Sequence, residues 1–353
     1  MKSIERHERR NMIGITIFFC IVILGFVSYT YINDLWINVS ELQIGTHETV
    51  ACPFLDSLQH VMDFAIVVTV PMILYVSYLY GRDKVGMGGA FLASLPVKKN
   101  KVFMTRWLTG MIVYTIPWVL LSVVVLGTRI RLNGWFQERL APYTYAKEIL
   151  GIDSLWNLSI YLIYIWCSLT LMYAVVSLVQ SICRKSPMGA LISAGIFIFP
   201  NLMSACNDQL INQLIDGAQK TSWLNSVFLI TDPINEISVW DAGVAKQIDI
   251  IYFNHILLVV FVQLLLSAIL FVAAYYTSVT LDESKKGNAI YYPMLEKIFV
   301  AGGCFGVIAF VVIVGLKMQI RIGRKETIGL IFLLFGLTYY FIYLKKRERK
   351  WEK

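Results

Sequence analysis

Histidine and acidic side chains are the groups that could give this chain hydrolytic or metal chemistry, and they are sparse. His47 precedes Glu48 in a predicted loop. His60 and Asp63 have the i, i+3 spacing that places two side chains on one helix face. An intramembrane zinc hydrolase needs an arrangement such as H-E-x-x-H, and two ligands are too few for a zinc site. We therefore interpret His60 and Asp63 as an interfacial polar pair, and the sequence predicts no catalytic residue and no metal ligand.

The stretch GRDKVGMG, at 81–88, has part of the spacing of an ATP-binding loop. That motif is G-x-x-x-x-G-K-[ST], in which the Lys and the hydroxyl hold the terminal phosphates and Mg²⁺. Gly81 and Gly86 fit, but Met87 and Gly88 stand where the Lys and the hydroxyl are needed. The chain is therefore predicted to hold no cofactor, and any ATP and Mg²⁺ would bind to a separate ATPase chain.

The elements that must position these residues are membrane helices. Of the 353 residues, 57% are hydrophobic and 15% are charged, against about a quarter charged in soluble domains. Lipid forces each spanning segment to satisfy its own backbone hydrogen bonds, so the apolar runs are predicted to be helices. The sequence thus predicts an all-α fold, a polytopic bundle of about eight transmembrane helices, at 12–32, 61–80, 107–128, 155–182, 187–206, 255–281, 298–316 and 328–344.

Basic residues set the predicted orientation. All 31 Lys and Arg residues lie outside the eight runs, 21 of them in segments that are cytoplasmic if the N-terminus is inside. This bias predicts cytoplasmic N- and C-termini in a multi-pass protein of the cell membrane. The exceptions are the predicted outer segments 129–154 and 317–327, where Arg129 and Arg131, or Lys317 and Arg321, are expected to snorkel from span ends. Because the bias explains the net charge of +8, we expect membrane lipids as partners and no nucleic acid.

The whole chain, 1–353, is predicted to be one integral membrane domain. Its parts outside the spans include a cytoplasmic N-terminus, a cytoplasmic loop, an extracellular segment and a cytoplasmic tail, at 1–11, 81–106, 207–254 and 345–353. The extracellular segment mixes acidic and apolar residues, which favours short amphipathic helices at the outer interface.

Cysteine and aromatic residues have structural interpretations. The cysteines form no C-x-x-C pair, and they are interpreted as buried small side chains, with a bridge between Cys52 and Cys206 as the alternative. Trp and Tyr cluster at predicted span ends, which is typical of an aromatic belt at the headgroup level. They are Trp107, Trp135, Trp156, Tyr275, Tyr276, Tyr291, Tyr292, Tyr339 and Tyr340.

The loop FLASLPVKKNKVFMTRW, at 91–107, combines an apolar helical face, a helix stop and a basic cluster. Phe91, Leu92 and Leu95 share one face at i, i+1 and i+4. Pro96 ends this short helix, because proline disfavours helical geometry in the residue before it. Lys98, Lys99 and Lys101 follow as a basic turn into the third span. The pattern predicts a docking surface for a cytoplasmic partner, with a plain positive-inside loop as the alternative for the lysines alone.

The segment GGAFLASLPVKKNKVFMTRWLTG, at 88–110, resembles the loop between spans two and three of type-2 ABC exporter permeases. Asp83 and Gly86 occupy the leading positions of the family phrase, and Arg106 and Gly110 occupy its close. Its centre is matched by Leu92, Ser94, Leu95, Pro96, Val97, Lys98 and Lys99. The segment LDESKKGNAIYYPMLEKIF, at 281–299, weakly resembles the stretch after span six in the eight-span Gram-positive branch.

The resemblance implies a non-catalytic permease subunit that pairs with a second permease, the same chain or a relative, above two ABC ATPase subunits. It implies that a coupling loop docks in the ATPase through Asp83, Phe91, Leu92, Leu95, Pro96, Lys98, Lys99 and Lys101. The charge-poor spans favour export of an amphipathic, lipid-like or peptide-like cargo, whose identity and direction the sequence leaves open. The alternative is a membrane sensor or scaffold that docks a signalling partner through the same loop.

Overall fold

The computed structural model describes residues 2–44, 49–50, 52–63, 65–81, 99–183, 185–197, 234–243, 246–253, 255–280, 294–295 and 297–303. The chain divides into two compact units. The first is Met1–Leu178 with Asp232–Val279, and the second is Val179–Thr231 with Thr280–Lys353.

Helices make up most of the described chain, together with one small sheet. The helices are α1 (Lys2–Ile44), α2 (Pro53–Asp63), α3 (Ala65–Gly81), α4 (Lys99–Arg131), α5 (Asn133–Leu140), α6 (Ala146–Ile152), α7 (Leu155–Ile182), α8 (Ser186–Phe197) and α9 (Ile256–Thr280). The strands are β1 (Thr49–Val50), β2 (Ile234–Asp241) and β3 (Lys246–Phe253). Residues 294–295 and 297–303 are also helical.

Four stretches of the described chain are long and apolar enough to cross a membrane, and this confirms the prediction of a helical membrane protein. They are Ile13–Val39, Lys99–Arg131, Ala146–Ile182 and Ile256–Thr280, and they cover the first, third, fourth and sixth predicted spans. The apolar helix α3 covers the second with 17 residues. The break predicted at Pro187 is present, since α7 ends at Ile182 and α8 begins at Ser186. The eighth predicted span lies outside the described residues.

Helix α7 is the most buried of the spanning helices. In its most apolar stretch 72% of the residues are buried, against 17% in α9 and 22% in α1. We call α7 the central helix, because its neighbours cover most of this stretch. The exposed faces of α1 and α9 are apolar as well, as expected for surfaces in contact with lipid.

The segment at 207–254, predicted to be extracellular, contains a β-hairpin where short helices were predicted. Strands β2 and β3 pair antiparallel from Ile234↔Phe253 to Asp241↔Lys246, and β1 pairs in parallel with β3. The reason lies in the local sequence: β-branched residues recur along INEISVWD and KQIDIIYF, and Asp-Ala-Gly supplies a turn after β2. The described chain is thus predominantly helical, as the sequence predicts, and it contains in addition one small three-stranded sheet. Residues 207–233 lie outside the described residues.

We call β1, α2, α5, α6 and the β2–β3 hairpin the cap. These elements come from three of the four predicted outer segments, at 33–60, 129–154 and 207–254, and all of them belong to the first unit. Thr49 and Val50 pair with Ile248 and Asp249. The carboxylate of Asp153 binds the first N–H groups of α2. Because the three segments contact one another, they lie at the same end of this unit, as the alternation of spans requires.

Candidate functional site

Most residues of the predicted coupling loop lie outside the described residues, namely Asp83, Phe91, Leu92, Leu95, Pro96 and Lys98. Lys99 and Lys101 are described and exposed, and both belong to the first turn of α4. The predicted basic turn into the third span is therefore already helical at these positions. Arg106, which the sequence placed in the same loop, is a buried residue of α4 with 6% exposure.

The two ends of the predicted loop converge on Tyr173 of α7. On the exit side, the Tyr173 hydroxyl donates to the carbonyl of Trp107 at 3.1 Å and lies 3.4 Å from the carbonyl of Arg106. At the start of the predicted loop, Tyr80 of α3 is buried. Its hydroxyl interacts electrostatically with Arg106 and with Tyr173.

Gly110 makes room for Tyr173 against α4. A Cβ built at Gly110 would overlap the Tyr173 hydroxyl and the adjoining ring carbons. Arg106 and Gly110 match the last positions of the sequence motif that resembles the permease family. Both residues contact Tyr173. Sequence reasoning missed Tyr173, because it lies among many aromatic residues of an apolar span and only tertiary contact marks it.

An aromatic cluster links α4 to α7 and α9 at this junction. Trp107 lies 4.7 Å from both Tyr173 and Phe271, measured between ring centroids, and Phe103 lies 5.6 Å from Tyr275. Such ring pairs contribute about 0.5–1.5 kcal/mol each beyond their buried area. Trp107 is only 7% exposed, so its interpretation as a headgroup anchor was wrong. Trp156 and Tyr276 are exposed, as residues of an aromatic belt would be.

At the other end of α4, Arg129 joins that helix to the cap. Its Nε donates to the Asp153 carbonyl at 2.7 Å, and its Nη1 donates to Oδ1 of Asn133 at 2.8 Å. Its guanidinium lies over the rings of Phe54 and Phe136, at 5.3 and 5.0 Å from their centroids. Arg129 is only 5% exposed, so it does not snorkel as predicted, whereas Arg131 is exposed.

Asp153 caps helix α2 from a distant part of the chain. Its carboxylate oxygens accept the N–H groups of Phe54 at 3.2 Å and Leu55 at 3.0 Å. The first N–H groups of a helix lack partners within the helix, and the helix dipole favours an anion there. Asp153, Phe54 and Leu55 are all fully buried, so this carboxylate replaces the water that would otherwise satisfy these groups.

Helix α1 holds the cap from a third direction. The amide nitrogen of Asn38 donates to Asp56 at 2.8 Å and to Ser57 at 3.2 Å. His60 lies near Asp34 and Asp56, with Nδ1 to Oδ2 distances of 3.6 and 3.7 Å. The predicted pairing of His60 with Asp63 is not tested, because the Asp63 side chain lies outside the described part. Across the described residues, no group of three His, Cys, Asp or Glu side chains is arranged to hold a metal ion.

Cys52 is fully buried, as interpreted from the sequence. Its alternative partner in a bridge, Cys206, lies outside the described residues.

Asp241 fastens the hairpin turn to the connection between α5 and α6. Its carboxylate accepts the N–H groups of Thr144 at 3.1 Å, Tyr145 at 3.3 Å and Gly243 at 2.8 Å. Burial alone would raise the pKa of Asp241, but these hydrogen bonds outweigh it and hold the pKa below the ordinary value of 3.8. The carboxylate form is therefore the one that fastens the turn.

Replacing Asp241 by Asn should loosen this fastening at pH 7. An amide can present only one oxygen, and its NH₂ group would face a backbone N–H. We expect amide hydrogen exchange at Thr144 and Tyr145 to become about tenfold faster, as loss of one charge-assisted bond implies. Because the folded pKa is lowered, the carboxylate's contribution is present above pH 3.8 and is lost as the pH falls through the folded pKa. The difference between D241N and wild type should therefore shrink below pH 3.8, and a constant difference would contradict this account.

Comparisons with protein-family models, with curated proteins and with solved structures gave no match for this chain.

Proposed function

We propose that this chain is the permease subunit of an ATP-binding-cassette exporter, coupled to a separate ATPase through the loop around 83–101. The observation that carries the proposal is the segment at 88–110, in which an apolar helical face, Leu95-Pro96 and a basic cluster follow one another as in the permease family. The chain itself lacks the Lys and hydroxyl of an ATP-binding loop, so the ATPase must be another chain.

The packing on both sides of this loop supports the proposal. A loop that receives a push from a partner needs stems that are fixed to the spans, since a slack stem would absorb the displacement. Here Tyr80 precedes the loop and Arg106 follows it, and both are buried close to Tyr173 of the central helix. Helix α4 begins at Lys99 without a break before the span, so a force on the lysines acts directly on that helix.

The remaining parts of the proposal follow from the same resemblance. The working unit contains a second permease subunit, the same chain or a relative, in the cell membrane with both termini cytoplasmic. The cargo is amphipathic and lipid-like or peptide-like, because a charge-poor bundle offers little to a strongly charged solute. In this scheme the cap lies at the extracellular end, where cargo leaves.

Co-purification tests the docking surface. The full-length chain, extracted in detergent from its native cells, should bring down an ABC ATPase that mass spectrometry identifies. Replacing Leu92 and Leu95 by Asp puts two carboxylates on the apolar face, and we expect recovery of the ATPase to fall at least tenfold, since hot-spot losses of about 2 kcal/mol are typical. Ile130→Asp is the matched control, because Ile130 is exposed at the opposite end of α4.

An undiminished ATPase yield from the Leu92→Asp, Leu95→Asp variant would refute the docking surface. Capture of a protein kinase in place of an ATPase would overturn the transporter and favour the sensor or scaffold.

A further inference from the structure

Helix α4 touches a different cluster at each end. Arg106 and Gly110 meet Tyr173 near its start, and Arg129 enters the cap near its finish. The 23 residue steps from Arg106 to Arg129 correspond to about 35 Å of helix. A continuous helix of that length can carry a displacement between two sites, provided that it is held against a neighbour along the way.

The middle of α4 is held to α7 by two indole groups. Trp118 of α4 donates from Nε1 to the Leu162 carbonyl at 2.7 Å, and Trp166 of α7 donates from Nε1 to the Thr115 hydroxyl at 3.3 Å. Pro117 lies between these two contact points on α4, where the absence of one backbone N–H weakens the helical ladder. The two bonds therefore support α4 near its midpoint, at the position where its own hydrogen bonding is weakest.

Arg129 connects the C-terminal end of α4 to the cap. Its side chain reaches three cap segments at once: Asp153 before α7, Asn133 and Phe136 of α5, and Phe54 of α2. The Asp153 whose carbonyl it binds also caps α2 through its carboxylate. A shift of Arg129 would thus change the hydrogen bonds of the Phe54 and Leu55 amides.

We propose that α4 is a lever pivoting on α7 at Thr115–Trp118, and that Arg129 transmits its movement from the Tyr173 junction to the start of α2. The contrary view is that the two clusters are independent packing sites that share a helix. Coupling between sites requires an energetic link, which a double-mutant cycle measures. The lever is a property of this chain alone, so its test needs no ATPase, and it can fail while the proposed function stands.

The test measures amide hydrogen exchange at Phe54 and Leu55 in the full chain embedded in lipid nanodiscs. Gly110→Ala pushes Tyr173 away from α4 at one end, and we expect exchange at the other end to become about fivefold faster, an ordinary size for coupling between linked sites. Gly127→Ala is the matched control, because the same substitution in the same helix meets no atom within 4 Å. It should not accelerate exchange.

The double-mutant cycle is completed by introducing Gly110→Ala into an Arg129→Lys variant. Lysine keeps the charge but cannot make both guanidinium bonds at once, so Gly110→Ala should then change exchange at Phe54 and Leu55 less than twofold. Arg129→Met provides a second background, which removes the donors and keeps the length. An equal effect of Gly110→Ala with and without Arg129 would overturn the lever.

A reference site separates coupling from general loosening. The Thr144 and Tyr145 amides belong to the cap but bind Asp241 rather than the Arg129–Asp153 cluster. Under the lever, Gly110→Ala accelerates exchange at Phe54 and Leu55 by at least about twofold more than exchange at Thr144 and Tyr145. Equal acceleration at all four amides would mean that the variant destabilises the whole unit, and it would overturn the proposal.

Discussion

Replacing Asp153 by alanine is expected to lower the free energy of unfolding by about 3 kcal/mol. The substitution leaves the buried N–H groups of Phe54 and Leu55 without an acceptor, and a buried unsatisfied group costs about 1–3 kcal/mol. It also removes a carboxylate that interacts electrostatically with the buried guanidinium of Arg129, and this loss adds to the destabilisation. Unfolding in detergent, followed by tryptophan fluorescence against added denaturant, measures the difference.

Two further variants sharpen this prediction. Asp153→Asn keeps one oxygen acceptor but not the charge, so we expect a loss between that of alanine and zero. Glu138→Ala is the control, because Glu138 is an exposed carboxylate of helix α5, and exposed positions usually change stability by less than about 0.5 kcal/mol. If Asp153→Ala were as mild as Glu138→Ala, the carboxylate would not be the cap of α2.

Hydropathy alone was sufficient to predict the four helices of the described chain that are long and apolar enough to span a membrane. A membrane segment must satisfy its backbone by itself, so its length and composition are local properties that a single sequence displays. The first and last residues of these helices were harder to predict from the sequence, because they depend on what the helix ends contact. Helix α1 continues to Ile44 and α4 begins at Lys99, in both cases beyond the apolar run, since polar helical turns are stable once tertiary contacts hold them.

The contacts at the two ends of α4 could not be predicted in full for the same reason. From the sequence, Arg129 was one more basic residue at a span end, and nothing local distinguished snorkelling from burial. Its burial depends on Phe54, Phe136 and Asp153, which come from separate segments. The hairpin was different, because its β-branched pattern was present in the sequence and was read as an amphipathic mixture.

The second large effect is expected for Gly110→Ala, which should lower the free energy of unfolding by about 2 kcal/mol. In a span, alanine normally improves a helix relative to glycine by up to about 1 kcal/mol. Here the added methyl group would overlap the hydroxyl and ring of Tyr173, which is fully buried and bonded to the Trp107 carbonyl. Overpacking of a filled core costs about 1–3 kcal/mol. This cost exceeds the gain in helix propensity, so the substitution should destabilise the protein. The same denaturant titration measures it.

Gly127→Ala tests this sign directly, because it makes the identical change in the same helix where no atom lies within 4 Å. It should leave stability unchanged or raise it, and a loss equal to that of Gly110→Ala would show that the helix, rather than Tyr173, resists alanine. Tyr173→Leu offers the complementary test, because a shorter side chain leaves space for the methyl group. Gly110→Ala should then cost less in the Tyr173→Leu background than in wild type, by at least about 1 kcal/mol for residues in direct contact. Such a rescue would identify the Gly110–Tyr173 contact as the feature that fixes α4 against the central helix, immediately after the predicted coupling loop.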